Sequence, residues 1–260
     1  MRPDEIAPNG AFTQFCGPDE FGNHWDELLS RRMLKGLGGG SPAPRKVMLH
    51  LMPPGKGDKH WDDAAIRLAL NEWEDAGRRF PLAWLRVRQA ENENGKETLT
   101  PREADHLSGK LAEQGMPPAL VGDILRQGDE TFLLMDTRQE EQVRAALARS
   151  GMTGEKQRDF TPAECMQETR ISVGSPRLDA VVARAFHIGR AEAKKAVTRG
   201  FVALNLRIAR DASREVIAGD LVYHLLAGAM RVDELSAGRT EGRHKLRARI
   251  PVGAKLMARG

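Results

Sequence analysis

The chain has 260 residues, of which 40% are hydrophobic and 5% aromatic, and it carries 40 Lys and Arg against 36 Asp and Glu. This length suits two or three small domains with ordinary hydrophobic cores. Two cysteines, Cys16 and Cys165, are too few for a disulfide scaffold or a cysteine-based metal cluster. No apolar run approaches the roughly 18 residues of a membrane span, and the start lacks the apolar core of a signal peptide, so we expect a cytoplasmic protein.

The positive charge is concentrated toward the C-terminal end of the chain. Residues 175–260 hold 17 Lys and Arg against 8 Asp and Glu, whereas residues 1–174 hold 23 against 28. A basic third on an acidic body favours a localised surface for a polyanion. An ordinary solvated basic surface would give the same counts, so charge alone leaves both interpretations open.

Residues 1–80 predict an N-terminal α/β segment of uncertain fold. Apolar residues at helical spacing predict helices over residues 24–35 and 61–76, and a short apolar run predicts a strand over residues 47–52. Glycine and proline dominate residues 36–44, which predicts a flexible linker at this point of the chain.

Residues 81–165 predict a middle domain in which the elements follow the order βαββαβ. Thr100, Pro101 and Glu103 form a capping box with proline at the first helical position, which marks a helix start. The predicted elements are a strand over residues 82–88, a turn at Asn94-Gly95, a helix over 100–114, strands over 123–127 and 131–136, a helix over 137–150 and a weak strand over 155–160.

This order is the ferredoxin-like arrangement that RNA-recognition-motif (RRM) domains share. RRM domains stack bases on aromatic residues of the central strands, and here the third strand offers only Phe132. Because the fold hosts many functions, a structural or protein-contact role is favoured over RNA binding for this RRM-like domain.

Residues 170–260 predict a domain with two short helices on a small twisted sheet. Leu178, Val181, Val182, Ala185 and Phe186 form one apolar stripe, which predicts an amphipathic helix over residues 177–186. A second helix is predicted over residues 190–199, with cations mostly outward and Gly200 as its stop. Such a file of cations suits successive phosphates of a folded RNA, so recognition is expected to follow shape more than base sequence.

Several spaced motifs of this region resemble the S4 RNA-binding domain, which has the alpha-L-like fold. They are Arg177-Leu178-Asp179, Arg190-x-Glu192-Ala193, Gly200-x-Val202-x-x-Asn205, Glu215-Val216 and Gly219-Asp220. Further motifs resemble the YlmH-like branch, which is related to photosystem II S4-domain proteins: Ser172-Val173 before the domain, Leu99-Thr100-x-Arg102, Gly122-Asp123-Ile124 and, faintly, Gly39-Gly40-x-Pro42-x-x-Arg45-Lys46. The resemblance covers residues 98–250 well and the first hundred residues weakly.

The resemblance implies an α+β protein that binds ribosomal RNA or tRNA on the large ribosomal subunit and acts in translation or in rescue of stalled ribosomes. It implies structured RNA and the ribosome as partners, with no membrane, no small-molecule substrate and no cofactor. The expected RNA-binding residues are Arg177, Arg184, Arg190, Lys194, Lys195, Arg199, Arg207, Arg231, Arg243 and Lys245. Asn205 is expected to fix the strand turn.

The sequence departs from this family at two places. Gly189 stands where relatives tend to carry Ser, which predicts a weaker cap on the second helix. Relatives also tend to carry a basic loop after the Gly-Asp turn, and here residues 226–230 are uncharged, leaving only Arg231. A later basic cluster consists of Arg239, Arg243, His244, Lys245, Arg247 and Arg249. This cluster could replace the charge of the missing loop, or it could protect an edge strand against aggregation.

No catalytic or metal-binding pattern stands out, so we expect a protein that is not an enzyme. Residues 36–40 and 54–60 lack the spacing of nucleotide-binding glycine loops, and the histidines have no ligand partners at metal spacing. Cys165 has no visible base and is expected to be inert. Two alternatives stay open: an RNA-modifying enzyme (a pseudouridine synthase or RNA methyltransferase) anchored by the S4 domain, and a protein-binding adaptor built on the acidic half.

Overall fold

The computed structural model describes residues 6–18, 24–58, 61–90, 98–238 and 242–252. Within them, helices alternate with three antiparallel sheets of three, four and six strands, which confirms the predicted mixed α+β class. None of the helices among these residues combines the length and apolarity needed to cross a bilayer. The domain boundaries predicted near residues 80 and 165–170 stay a prediction.

The described part of the N-terminal segment forms a small sheet with three helices. Its elements are β1 (Ala11–Phe12), α1 (Trp25–Ser30), β2 (Leu34–Gly38), β3 (Met48–Leu51), α2 (Asp63–Asn71) and α3 (Trp73–Arg79), and the strand order is β1-β3-β2. Two predicted helices are corrected. The first ends at Ser30 because the chain continues into β2, and the second is divided at Glu72, which ends α2 and precedes α3.

The linker predicted at residues 36–44 is wrong. Residues 36–38 belong to β2, and residues 39–44 are buried. A Cβ atom added to Gly38 would lie 2.6 Å from Phe80, and one added to Gly40 would lie 2.6 Å from Leu134. The glycines therefore permit close packing of the backbone against side chains, which gives a fixed segment where composition predicts a flexible one.

The middle of the chain follows the predicted βαββαβ order. Its elements are β4 (Leu82–Gln89), α4 (Pro101–Glu113), β5 (Val121–Gln127), β6 (Glu130–Asp136), α5 (Glu140–Arg149) and β7 (Met152–Gln157), with sheet order β5-β6-β4-β7. The capping box is confirmed, since Thr100 Oγ1 accepts from the Glu103 amide and Glu103 accepts from the Thr100 amide. The turn predicted at Asn94-Gly95 lies outside the described residues.

The C-terminal part is a six-stranded sheet with two helices on one face. Its elements are β8 (Met166–Val173), α6 (Leu178–Ala185), α7 (Arg190–Thr198), β9 (Val202–Leu204), β10 (Arg207–Ile208), β11 (Leu221–His224), β12 (Gly228–Ala237) and β13 (His244–Pro251), in the order β10-β9-β11-β12-β13-β8. The predicted apolar stripe of the first helix is confirmed, because its members are buried against the sheet.

The opposite face of this sheet packs against the N-terminal segment. Alternate strand residues such as Leu221 and Tyr223 share an apolar cluster with Leu37 and Val47. Since strand side chains alternate between faces, this sheet has one helix-covered face and one face covered by the N-terminal segment. The helix-covered face holds most of the cations that the sequence singles out.

Candidate nucleic-acid interface

The turn between α6 and α7 fixes the geometry of the candidate interface. The Ile188 amide donates to the Ala183 carbonyl at 3.1 Å, and His187 between them has a φ of 53°. This is the left-handed helix ending that glycine usually provides, here occupied by an exposed histidine. Gly189 then precedes α7 without a side-chain cap, as its sequence predicts, and Arg190 starts the helix.

An open groove of about 690 Å³ lies beside this turn. Three of the predicted RNA-binding residues, Arg184, Arg190 and Arg243, line it and are exposed. The other lining residues are Ser172, Val173, Gly174, Ala180, Ala183, His187 and Ile188. No acidic residue is among these described lining residues, so the rim of the groove is positively charged.

Asp179 holds two arginines at one end of the groove. Its Oδ1 accepts from Arg190 at 3.0 Å and from Arg177 at 3.4 Å, and its carboxyl is nearly buried while both arginines are about half exposed. Burial raises the pKa of Asp179, but the hydrogen bonds from Arg190 and Arg177 outweigh it and hold the pKa below its ordinary value. The ionised Asp179 carboxylate therefore orients the Arg190 guanidinium, and about half of the Arg190 side chain stays exposed to a ligand.

Helix α7 carries further cations, arranged in two rows. Lys194, Lys195 and Arg199 are exposed, and no ion pair joins them to another of the described residues. At 3.6 residues per turn, Lys194 lies about 40° around the helix from Arg190, and Lys195 lies about 140° around it. The single file of cations expected from the sequence is therefore corrected: Arg184 and Arg243 continue the groove side, and Lys195 and Arg199 project elsewhere.

Arg231 is not at the surface, so its predicted role in RNA binding is corrected. Its side chain is 1% exposed and donates to the carbonyls of Pro42, Leu70 and Gly219 and to Asn71 Oδ1, over 2.8–3.1 Å. Burial lowers the pKa of Arg231 to about 10, with the charge of Arg249 acting in the same direction. The guanidinium thus stays charged at neutral pH and joins the sheet to the N-terminal segment.

Arg207 also faces the N-terminal segment. It donates to Asp63 at 3.0 Å and to Asp26 at 3.3 Å, and Arg214 donates to Asp63 as well. Arg207 is therefore about one-third exposed and held by two carboxylates, which corrects the expectation that it lies free for RNA. By contrast, Asn205 is where the sequence predicts: at φ 50°, it donates to Asp220 and accepts from the Leu221 amide.

The late basic cluster divides into free and paired residues. Lys245 is exposed and lines a second groove with Arg170 and Arg247, and Ser172 lines both this groove and the first one. Arg247 pairs with Glu234 at 3.1 Å, and Arg249 pairs with Asp233. Sequence reasoning missed Arg170; the signal was its outward place in the alternation along β8. Arg239 lies outside the described residues.

The middle sheet has no free surface for base stacking at Phe132. Phe132 is 3% exposed and stacks on Phe160 with ring centroids 3.9 Å apart. Around it, Phe15 and Phe80 of the N-terminal segment cover the same face. The face that RRM domains use for bases is therefore filled at this position by the protein itself.

The described residues offer neither a metal site nor a reactive thiol at Cys165. No group of three His, Cys, Asp or Glu side chains there lies close enough to hold a metal ion. Cys165 is fully buried, and burial raises the pKa of its thiol to about 12, with the charge of Glu164 adding to the effect. A thiol with this pKa is protonated at neutral pH and a poor nucleophile.

Comparisons with known proteins leave the family open. No protein-family model matches the sequence, and no curated protein matches it. Among solved structures, the chain is similar to the cell division protein YlmH from Streptococcus pneumoniae, with 15% sequence identity and a TM-score of 0.34. The alignment covers 58% of this chain and 81% of that chain. A similarity this low assigns neither a fold nor a function to the chain.

Proposed function

We propose that this protein is a non-catalytic, cytoplasmic RNA-binding protein that holds structured RNA on the helix-covered face of its C-terminal sheet. The observation that carries the proposal is the groove whose rim presents Arg184, Arg190 and Arg243, with no acidic residue among the lining residues that the structure describes. Phosphate groups are the complement of such a rim, because guanidinium groups bind them in a planar, bidentate manner. Exposed Lys194, Lys195 and Arg199 on α7 extend the positive surface beyond the groove.

The finer identity of the two C-terminal regions belongs to the same proposal. The middle sheet order β5-β6-β4-β7 supports a ferredoxin-like, RRM-like domain that has a structural role. Helices α6 and α7 on one face of the last sheet, together with the motifs from Arg177 to Asp220, support an S4 RNA-binding domain. By that resemblance, the RNA is ribosomal RNA or tRNA on the large ribosomal subunit, in translation or rescue of stalled ribosomes.

A salt series on matched variants tests the proposal. Binding of the full chain to ribosomal RNA and to purified large subunits is measured from low to high salt, for wild type, K194Q/K195Q and K35Q/K56Q. All four lysines are exposed, and each double variant removes two positive charges. Lys35 and Lys56 lie in the N-terminal segment, so their variant controls for net charge alone.

The expected result is steep salt dependence, since each phosphate contact adds about 0.9 to the slope of log affinity against log salt. K194Q/K195Q should lower that slope by one to two and weaken binding, whereas K35Q/K56Q should match wild type. Equal effects of the two variants would reduce the binding to net charge and contradict the proposed surface. Absence of binding at low salt would refute the function itself.

A further inference from the structure

We propose that the groove between α6 and β8 takes one unpaired nucleotide of the RNA, with its base on the apolar floor and its phosphates on the arginine rim. This inference rests on the proposed function and deepens it. The sequence predicts recognition by the shape of the RNA backbone, and the inference adds recognition of one base. It assigns to the groove a ligand of stated chemistry: a splayed-out base with a phosphate on each side.

The floor of the groove is apolar and made of small side chains. Val173, Ala180 and Ala183 are nearly buried and line it together with half-buried Ile188. A file of phosphates needs a charged outer surface and gains nothing from an apolar recess, whereas a base buries apolar surface on one. The volume of about 690 Å³ lies within the roughly 300–1,000 Å³ of small-ligand pockets, so a nucleotide fits.

The rim supplies the charge that a nucleotide needs. Arg184 donates one hydrogen bond within the described part of the chain, to the Ser172 carbonyl at 3.4 Å, and Arg190 is fixed by Asp179 while its side chain stays 54% exposed. Arg243 approaches from the start of β13 and is exposed. Three guanidinium groups around one recess can hold the two phosphates that flank a single nucleotide and stack on its base.

His187 is an aromatic ring on the rim, held in a conformation that favours glycine. Its φ of 53° is uncommon for a side chain with a Cβ atom, although histidine is among the residues that tolerate it best. The left-handed turn puts the exposed imidazole among the lining residues of the groove. Histidine rings stack on unpaired bases in RNA complexes, so His187 is the side chain we assign to the exposed face of the base.

The experiment compares three forms of one short RNA hairpin by fluorescence anisotropy with the full chain. One form carries a bulged adenosine, the second carries an abasic nucleotide at the bulge, and the third is fully paired. Wild type, A183L and A191L are measured on each form. Ala183 lines the groove, whereas Ala191 is exposed on α7 outside it, so the two variants add the same side chain in different places.

Wild type should bind the bulged adenosine about tenfold tighter than the abasic form, as expected for one stacked base. A183L should abolish this preference and keep the salt dependence, and A191L should retain both. Equal affinity of wild type for all three forms, with steep salt dependence, would overturn this inference and leave the proposed function standing. No salt-dependent binding to any form would overturn the proposed function. The wild-type comparison decides the matter even where A183L is unstable.

Discussion

The two faces of the six-stranded sheet use arginine in opposite ways. On the helix-covered face, Arg184, Arg190 and Arg243 surround an open groove. On the opposite face, Arg207 and Arg231 are bound to carboxylates, carbonyls and an amide of the N-terminal segment and the sheet. A basic stretch of sequence is therefore not one surface, because part of its charge is used inside the protein.

The acidic character of the first half has a matching explanation. Asp63 of α2 accepts hydrogen bonds from Arg207 and Arg214, and Asp26 of α1 accepts one from Arg207 at 3.3 Å. Ions removed from water must be paired or hydrogen-bonded, so a docked segment supplies the partners that the sheet needs. The uneven charge along the chain is therefore explained in part by the contact between the N-terminal segment and the six-stranded sheet, and not only by a surface for polyanions.

The largest expected effect comes from breaking this contact at Arg231. R231A removes a buried cation and leaves the carbonyls of Pro42, Leu70 and Gly219 without their donor. We expect the free energy of unfolding, measured by urea denaturation at pH 7, to fall by about 3–5 kcal/mol, because several buried acceptors lose a charged donor at about 1–3 kcal/mol each. R243A is the control, because an exposed arginine should change stability by less than about 0.5 kcal/mol. Equal stability of R231A and wild type would refute the structural role.

The next effect sharpens the comparison on the side of RNA binding. R184Q/R243Q and R207Q/R214Q each remove two arginines from the same sheet domain, but from opposite faces. We expect R184Q/R243Q to weaken RNA binding at least about tenfold and to lower the salt slope by one to two, since those side chains face the groove. R207Q/R214Q should keep wild-type affinity once the folded fraction is matched by circular dichroism. If R207Q/R214Q weakened RNA binding more than R184Q/R243Q did, the RNA would bind the face opposite the groove, and the proposal would be contradicted.

Local signals predicted much of this fold. The Thr100–Glu103 capping box, the strands predicted over residues 123–127 and 131–136, and the apolar stripe of α6 are each encoded within a few residues, and the structure contains all three. The groove residues Arg184, Arg190 and Arg243 were also among the predicted cations. A feature can be predicted from a single sequence when all the residues that determine it lie within one helix, strand or turn.

The failures share a cause, which is contact between distant parts of the chain. Gly40 packs against Leu134, Arg231 donates to Pro42, and Arg207 donates to Asp26. Glycines that permit packing and glycines that permit motion look alike in composition, and so do exposed and buried arginines. The apolar floor of the groove also joins Val173 to Ala183, and no local pattern couples those positions.

A smaller effect tests the N-terminal side of the comparison through pH. Burial raises the pKa of Asp63, but hydrogen bonds from Arg207 and Arg214 outweigh it, so the pKa lies below the ordinary value. A lowered carboxyl pKa stabilises the fold above the unfolded value of about 4, and that contribution is lost as pH falls through the folded value. D63N should therefore be less stable than wild type by about 1 kcal/mol at pH 7, since the groups are partly screened. Urea midpoints of the two proteins should converge below about pH 4; a constant difference would contradict the assignment.

A second pH effect is expected under the helix-covered face, at His224. Its ring is 5% exposed and lies 5.5 Å from that of Phe186, and its Nδ1 accepts from the Leu226 amide at 3.3 Å. Burial lowers the pKa of His224, opposed by the charge of Glu192. The unfolded chain therefore takes up a proton near pH 6.5 that the folded protein takes up only at lower pH, so stability falls as pH drops below about 6.5.

H224F keeps an aromatic ring against Phe186 and should flatten that fall in stability, which amounts to at most about 1.4 kcal/mol per pH unit. The exposed His106 supplies the control: H106Q should follow wild type, and an H224F curve parallel to wild type would show that His224 titrates alike in both states.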